Sequence, residues 1–529
     1  MQGALQLSVV VAACGFTLGC TSGGGNDHDG PPDEQDVTPP IVVGVLPVPG
    51  ALGVSLFQPV EVRFSEAIDA TTAASGLAVH LGEDLVPGTL AVDGAVLTMT
   101  PEPWYVNDAV YSITIGMAIT DLAGNPLANE HSSIFTTAWS LAAGTPAEER
   151  VYDIAVDGAG DIVVCGYTYG SLVPSGQRGA SDAYVIKVRP DRTHAWTSQF
   201  GGSGYDVAWA LAADGWGNLY VAGATDGSLG EGANAGGTDA FLAKISAAGV
   251  LQWTTQLGSA AEDRGLGVAI NSYEQPILVG ETSGELLAHV NAGGSDLFWV
   301  RFNDGGGIIA SGLYGSSGDE LVRGADIDDY DNLFVTGTTT GVLEGDQNRG
   351  YEDGYVVKLN AEGEVRWVRQ IGSTDGDYLS QLATDSSGRV VVVGTTYGGV
   401  YGSVPNNWNL HAIAARFDAT GLLDWAEQLS GELGNYHLGV TVDADDHFYI
   451  TGYDFDAGRT FLRGYTEQGI NMFHRAFAYN NAPVRLPERT PGTTLYLSVS
   501  QHAPLFDGTA GLDQDDVFVF KMGNDGMLY

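Results

Sequence analysis

A 57-residue period runs through about three-quarters of the 529-residue chain and restricts the folds open to it. The aromatic positions of this period are Trp139, Trp196, Trp253, Trp367, Trp425 and Phe473, the last two slightly out of step, with Ala310 at the position that lacks a ring. Glycines keep the same step at Gly166, Gly223, Gly280, Gly337 and Gly394. Such self-similarity indicates one supersecondary unit that is repeated, with neighbouring units burying each other's apolar faces.

Each period predicts four short strands. In one unit, apolar runs at 211–213, 219–221, 240–244 and 251–254 are separated by turn residues such as Asp214, Gly215 and Asn218. Four strands per unit are typical of a propeller blade. Because the blades cover one another fully only when the ring is closed, residues 138–529 are predicted to form a closed β-propeller.

The closure of the ring can also be predicted. Counting groups of strands gives seven blades, and the last unit supplies its third strand at 517–521. Its fourth strand would fall just beyond residue 529. The segment around Trp139 is a fourth strand that has no three strands of its own before it. We therefore expect this segment to pair into the last blade.

The repeat combines a tryptophan strand, a Gly-Gly turn, an aliphatic-Asp-Gly-Asn hairpin and an Asp-aromatic-Lys strand. This combination resembles the bacterial seven-bladed β-propeller repeat family, abbreviated SBBP. The seventh unit departs from the pattern, with Pro487-Glu488-Arg489-Thr490-Pro491 in place of the Asp hairpin. The resemblance implies a fold but no particular activity, since propellers host many functions.

Residues 39–137 have a different pattern. Apolar and polar residues alternate at 60–64, 95–99 and 110–115, which is the period of half-buried strands in an antiparallel sandwich. The stretches 64–69 (Phe-Ser-Glu-Ala-Ile-Asp), 121–127 (Asp-Leu-Ala-Gly-Asn-Pro-Leu) and 135–137 (Phe-Thr-Thr) resemble the SbsA-type bacterial immunoglobulin-like domain. The resemblance implies a spacer or adhesive module, and the chain as a whole is predicted to be all-β.

Composition excludes some partners. The formal net charge of −43 repels phosphate backbones, so nucleic acid is not expected as a ligand. Three cysteines, two of them in the first 20 residues, provide no disulfide framework. Cys165 follows an apolar strand pattern and is expected to be a buried, unreactive thiol.

The N-terminus predicts export. Residues 4–19 form an apolar run of signal-peptide length, and Leu18-Gly19-Cys20 resembles a bacterial lipobox. This implies a signal peptide at 1–20, acylation of Cys20 and a lipid anchor in the cell envelope, at the outer membrane or the cell surface. Cys14 is an alternative lipidated residue, and an ordinary secretory peptide is another. Residues 21–38, rich in Gly, Asp, Glu and Pro, are expected to be a flexible, acidic tether.

Acidic residues also follow the 57-residue step, just before the first strand of each blade. They are Glu149, Asp206, Asp263, Glu320 and Asp377. Converging carboxylates near one mouth of the channel would attract a cation or a polar ligand. The alternative is that each carboxylate accepts backbone hydrogen bonds and shapes its own loop.

Calcium is the cofactor for which the sequence offers candidate ligands. Alternating acidic residues typical of calcium loops occur at Asp326, Asp328, Asp329 and Asp331, and again at Asp443, Asp445 and Asp446. Both stretches lack the central Gly and the late Glu of a complete loop, and the corresponding stretch of other blades is a hairpin turn.

No catalytic motif is apparent in the sequence. We therefore expect a non-catalytic, monomeric binding or adhesion protein that presents the propeller to a protein or glycan ligand. Two alternatives remain open. One is a polysaccharide lyase or hydrolase that uses the carboxylates of the channel mouth, and the other is a purely structural envelope component.

Overall fold

A computed structural model describes residues 36–54, 58–102, 105–106, 109–137, 140–143, 145, 147–190, 193–230, 232–343, 346–400, 410–433, 438–454, 459–477, 494–501 and 516–523. The predicted leader, with Cys14 and Cys20, lies outside these residues, as does Trp139. The chain divides into two compact units, and the second begins at Leu141. Among the described residues, no helix is long and apolar enough to span a bilayer.

The first unit is a β-sandwich. Its strands are β1 (Val42–Leu46), β2 (Ala51–Val54), β3 (Val60–Phe64), β4 (Leu77–Leu81), β5 (Asp84–Leu85), β6 (Gly88–Asp93), β7 (Val96–Pro101), β8 (Val110–Ile115) and β9 (His131–Thr137). One sheet has the order β1-β3-β7-β6, and the other has the order β2-β9-β8-β4-β5. Alternate residues such as Val60, Val62 and Phe64 are buried in the shared core, so the period-two pattern decides which face of each strand is apolar.

A single short helix, α1 (Ala70–Ala73), joins β3 to β4 in this unit. Its N-cap is Asp69, whose side chain accepts a hydrogen bond from the backbone N–H of Thr71. An Asp at this position satisfies one of the N–H groups that a helix start leaves unpaired.

The second unit is a propeller whose described strands form six four-stranded blades and a three-stranded closing blade. Blades 1 to 3 contain β11 (Glu149–Val156), β12 (Ile162–Thr168), β13 (Asp182–Val188), β14 (His194–Phe200), β15 (Asp206–Ala213), β16 (Leu219–Thr225), β17 (Asp239–Ile245), β18 (Leu251–Leu257), β19 (Asp263–Ile270), β20 (Pro276–Thr282), β21 (Asp296–Phe302) and β22 (Ile308–Tyr314). Blades 4 to 6 contain β23 (Glu320–Ile327), β24 (Leu333–Thr339), β25 (Asp353–Leu359), β26 (Val365–Ile371), β27 (Asp377–Thr384), β28 (Val390–Thr396), β29 (His411–Phe417), β30 (Leu423–Leu433), β31 (Gly439–Val442), β32 (Phe448–Asp454), β33 (Arg459–Tyr465) and β34 (Asn471–Phe477).

The closing blade has the order β10-β36-β35, from β10 (Ser140–Ala143), β35 (Thr494–Gln501) and β36 (Asp516–Gly523). A strand from the start of the propeller thus pairs with the last described strand, β36, and β35 packs beside β11 of blade 1. The predicted all-β chain, a sandwich followed by a seven-bladed propeller with N-terminal closure, is confirmed. Residues 487–491 lie outside the described residues.

The second and third strands of blades 1 to 5 are almost entirely buried. In blade 2, every residue of β16 and β17 is buried. This burial explains their nearly continuous apolar sequences, because the blades on either side cover both faces of these strands.

The repeated tryptophan joins one blade to the next. Trp253 lies against Gly306 in the last hairpin of blade 3, where φ is +80° and a Cβ would stand 2.9 Å from the indole. Its Nε1 donates a 2.9 Å hydrogen bond to the carbonyl of Asp304. The tryptophan positions are therefore packing positions between blades.

Blade 3, which has Ala310 at the tryptophan position, is packed differently. Trp299 of β21 lies against Gly363 of blade 4, in the manner of a tryptophan from the fourth strand. Arg301 Nη1 donates a 2.9 Å hydrogen bond to the carbonyl of Ala361, which is the equivalent of Asp304. Two side chains of the third strand thus replace the packing and the hydrogen bond of the missing residue.

Candidate functional site

The first strands of the blades surround the propeller axis. Each first strand forms one edge of its sheet, and the first strands of successive blades pack against one another. Each of the first strands of blades 1 to 5 contains a β-bulge at the same place. The extra residues at the bulges are Tyr152, Trp209, Leu266, Arg323 and Ser380.

The bulges explain the repeated glycines of the second strand. A Cβ on Gly280 would stand 1.9 Å from the carbonyl oxygen of Arg264, and one on Gly337 would stand 1.8 Å from that of Leu321. Only glycine fits where the bulge pushes a carbonyl towards the neighbouring strand. The scaffold therefore repeats strictly, whereas the extra residue at each bulge has a different chemistry in each blade.

Aromatic residues gather at the bulges of blades 1 and 2. The ring centroids of Tyr152 and Trp209 are 4.1 Å apart, and those of Tyr152 and Tyr167 are 5.8 Å apart. The ring centroid of Tyr169 lies 5.3 Å from that of Tyr167 and 6.5 Å from that of Tyr205. We call these five residues the aromatic cluster. Tyr169 and Tyr205 are exposed. Tyr169 directly follows the second strand of blade 1, and Tyr205 directly precedes the first strand of blade 2, so the cluster lies on the face where second strands end and first strands begin.

Polar groups surround the aromatic cluster. Glu148 Oε1 accepts hydrogen bonds from the Tyr167 hydroxyl at 2.8 Å and from Arg150 Nε at 2.6 Å. Burial, followed by the hydrogen bond to Glu148, raises the pKa of Tyr167, so this phenol remains a neutral donor. Trp209 Nε1 has no hydrogen-bond partner among the described residues. The aromatic cluster, which includes the unsatisfied N–H donor of Trp209, therefore lies beside a carboxylate and a guanidinium.

The predicted acidic ring occupies the starts of the first strands. Glu149, Asp206, Asp263, Glu320 and Asp377 are the first residues of β11, β15, β19, β23 and β27, and all five are fully buried. Glu320 accepts hydrogen bonds from Ser316 N and Oγ, both at 2.6 Å, and from Thr339 Oγ1 at 2.7 Å. This geometry corresponds to the local hydrogen-bonding alternative, since a ligand in the channel would reach these oxygens only if the loops opened.

A second series of acidic residues, which the sequence analysis missed, lies beside the first. Asp182, Asp239, Asp296 and Asp353 begin the third strands of blades 1 to 4, are fully buried and follow the 57-residue step. A Cβ on Gly315 would stand 2.2 Å from Asp296 Oδ1 and 2.6 Å from Glu320 Oε2, so carboxylates of adjacent blades crowd one glycine. Asp296 Oδ1 has no hydrogen-bond partner among the described residues. The Asp of the Asp-aromatic-Lys element was the sequence signal for this series.

Burial raises the pKa of some carboxylates in each series, Glu149 and Asp353 among them. Burial raises the pKa of Asp377 to about 6, against the hydrogen bonds from Thr396 and Ser373, and the neighbouring Asp353 raises it further. Burial likewise raises the pKa values of Asp206, Asp263 and Asp296. These joints between blades are therefore sensitive to pH rather than open to solutes.

The four proposed calcium residues are not brought together. Asp326 Oδ2 accepts hydrogen bonds from Thr384 of blade 5, and Asp331 accepts them from Ser272 of blade 3. Asp328 Oδ1 accepts hydrogen bonds from the backbone N–H groups of Tyr330 and Asn332 in its own turn. Asp329 lies in the same turn. In the described part of the chain, no three ligand atoms from this hairpin lie close enough to share an ion.

The hairpin of blade 6 is more compact. Ligand atoms of Asp443, Asp445 and His447 lie within 4.8 Å of one another. However, Asp443 already accepts hydrogen bonds from the N–H groups of Asp445 and His447 and from the hydroxyl of Tyr449. The arrangement is that of an Asx turn, so it gives no separate sign of a bound cation.

Comparisons with known proteins support both units. Residues 36–137 match the family model described as a bacterial Ig-like domain, and residues 195–231 match the model described as a beta-propeller repeat. These matches confirm the two resemblances inferred from the sequence. No curated protein matches the chain.

Solved structures with similar folds have low sequence identity. The WD40 domain of Pan2 from Neurospora crassa is 10% identical over 70% of this chain and 88% of its own, with a TM-score of 0.42. The polysaccharide lyase Uly1 is 9% identical over 70% and 90%, with a TM-score of 0.43. Prolyl oligopeptidase B from Galerina marginata is 9% identical over 72% and 50%, with a TM-score of 0.42. Likeness at this level does not indicate an activity.

Proposed function

We propose that this chain is a non-catalytic binding protein of the bacterial cell envelope, anchored through Cys20. The protein contacts a protein or glycan ligand with the aromatic cluster. The aromatic cluster is the observation that carries the proposal. Two of its rings, those of Tyr152 and Trp209, are at β-bulges, and bulges commonly direct side chains towards functional sites. The tyrosines and the tryptophan combine apolar faces with hydrogen-bonding groups, which suits recognition.

The buried carboxylates favour binding over hydrolysis. A glycoside hydrolase needs two carboxyl groups on either side of a bond in the substrate. The carboxylates of the acidic ring are instead fully buried, and each accepts a hydrogen bond from a backbone N–H of its own loop. Carboxylates that are shielded in this way support the inter-blade joints and do not present an acid and a base to a substrate.

The binding proposal can be tested with residues 36–529 as soluble protein, screened on a glycan array and against envelope extracts, with and without calcium. Tyr169→Ala combined with Tyr205→Ala is expected to abolish the interaction that the wild type shows. Tyr351→Ala is the matched control, because Tyr351 is 81% exposed in a loop of the same face but lies in blade 4. An interaction that survives the double substitution, or that Tyr351→Ala removes equally, would contradict the proposal.

The anchor is tested separately in the full-length chain. Cys20→Ala should abolish incorporation of labelled palmitate and release the protein from the membrane fraction, whereas Cys14→Ala should leave both unchanged. The reverse result would assign the anchor to Cys14. If the wild-type protein incorporates no palmitate, lipidation is rejected.

A further inference from the structure

Three aromatic side chains are displayed at equivalent places on the opposite face of the propeller. Trp216, Tyr273 and Tyr330 lie at the tips of the hairpins that join the first and second strands of blades 2, 3 and 4, one 57-residue step apart. Their exposed fractions are 69%, 75% and 67%. We call these residues the aromatic arc. Rings that are this exposed contribute little to the core, so packing within the fold does not explain them.

The hairpin tips are held firmly. The backbone N–H groups of Trp216, Tyr273 and Tyr330 donate hydrogen bonds of 3.0, 3.0 and 2.9 Å to the side chains of Asp214, Asn271 and Asp328. Side chains at the starts of these turns therefore fix the backbone beneath each ring. A fixed backbone reduces the conformational entropy that is lost when these residues bind a ligand.

Adjacent hairpins are also linked to each other. Glu274 Oε2 of blade 3 accepts a 2.9 Å hydrogen bond from Gly215 N of blade 2, and Asp331 Oδ1 of blade 4 accepts one of 2.7 Å from Ser272 N of blade 3. Glu274 and Asp331 have φ values of 58° and 61°, and the equivalent Asp446 of blade 6 has 60°, whereas Gly160, Gly217 and Gly388 take this position in blades 1, 2 and 5. The same link recurs between blades 5 and 6, where Ser386 N donates a 2.9 Å hydrogen bond to Asp446 Oδ1, so the links belong to the scaffold that carries the rings.

Among the described hairpins of blades 1 to 6, the arc occupies three consecutive blades. The equivalent residues are Ala159 in blade 1, Ser387 in blade 5 and Asp445 in blade 6. The turn therefore accepts small and polar residues at its tip, so its own folding does not require an aromatic ring. Three exposed rings on neighbouring blades form a row of apolar groups on one face, and exposed apolar groups that recur together mark interaction sites.

The surroundings of the arc indicate the chemistry of its ligand. Sheets that pack face to face are about 10 Å apart, so the hairpins that carry successive rings are separated by about the length of a disaccharide. The flat, C–H-bearing faces of pyranose rings stack on aromatic side chains, and repeated sugars suit repeated rings. Glu274, Asp329 and Asp331 flank the rings, and the net charge of the chain is −43, which opposes polyanionic chains.

From these observations we propose that the aromatic arc binds an extended, uncharged polysaccharide, with its sugar faces stacked on Trp216, Tyr273 and Tyr330. This site is distinct from the aromatic cluster, since it lies at the opposite ends of the strands. Binding at several rings along one polymer adds avidity to contacts that are weak individually.

The test is affinity electrophoresis of residues 36–529 in native gels that contain hydroxyethyl cellulose, soluble starch or galactomannan as uncharged probes, or alginate as an anionic probe. The wild type should be retarded by at least one uncharged polymer and not by alginate. Removal of any one ring should weaken binding by up to about tenfold. The triple variant Trp216→Ala, Tyr273→Ser and Tyr330→Ala should not be retarded.

The triple variant introduces residue types that the same turn already carries in blades 1 and 5, so its melting temperature should match that of the wild type. Tyr351→Ala is the matched control and should be retarded like the wild type, because Tyr351 is a similarly exposed tyrosine of blade 4 on the opposite face. The proposal is overturned if no uncharged polymer retards the wild type, if alginate alone does, or if the triple variant is retarded equally. If the triple variant unfolds, the three single variants decide the question by the same criterion.

Discussion

The indole of Trp299 lies against Gly363 of the next blade so closely that a Cβ on that glycine would stand 2.0 Å from Cζ2. Trp299 belongs to the third strand of blade 3, yet it supplies the contact that the fourth-strand tryptophan makes elsewhere. Trp299→Ala should therefore destabilise the propeller by about 3–5 kcal/mol, as expected for a large aromatic residue in a packed site. Urea denaturation followed by circular dichroism measures the loss, and a loss below about 1 kcal/mol would show that the contact is dispensable.

The glycines beside the bulges provide a second prediction. Gly337→Ala places a Cβ against the carbonyl of Leu321, and the expected cost is about 1–3 kcal/mol because the backbone must move. Gly305→Ala is the control, since the nearest atom to its Cβ would be Asn303 Oδ1 at 3.5 Å. Denaturation midpoints should separate the two variants, and equal midpoints would contradict the account of the bulge.

Buried ion pairs should differ in strength from blade to blade. Lys187 Nζ lies 2.5 Å from Asp157 Oδ2 and 3.0 Å from Asp161 Oδ2, and both Lys187 and Asp157 are buried. Lys187→Met should cost about 3–5 kcal/mol, because it leaves a buried carboxylate without its partner. Lys244→Met should cost less, since its partner Asp304 is largely exposed and remains hydrated. A smaller loss for Lys187→Met than for Lys244→Met would refute this ranking.

The carboxylates between blades predict a pH dependence of stability. Burial raises the pKa of Asp377 to about 6 from the ordinary value of 3.8. The folded state therefore binds the proton more tightly than the unfolded state does. The contribution of Asp377 to stability is fully present below about pH 4 and is lost as the pH rises through about 6.

Asp377→Asn should remove this contribution. Between pH 4 and 6, the free energy of unfolding of the variant should fall less steeply than that of the wild type, by up to about 1.4 kcal/mol per pH unit. Denaturant titrations at several pH values provide the measurement. Parallel curves for the two proteins would show that Asp377 titrates normally in the fold.

Much of the architecture follows from sequence periodicity. The step that joins Trp196, Trp253 and Trp367 predicted four-stranded blades, and the unpaired strand near Trp139 predicted how the ring closes; β10 confirms this closure within the described residues. The same periodicity found the first acidic series. It could not show whether Glu320 faces solvent or its own loop, because a repeat fixes positions along the chain and not the direction of each side chain.

The sequence by itself determined the strand pattern, the number of blades and the closure, since each depends on local alternation and on a constant interval. Only the tertiary structure decided which residues meet across blades. It placed Trp299 where Ala310 leaves space, gathered Tyr152, Trp209 and Tyr169 into one cluster, and sent Asp326 and Asp331 towards different neighbours. The physical reason is that bulges and inter-blade packing set side-chain directions through contacts between residues about 57 positions apart, and no local pattern encodes those contacts.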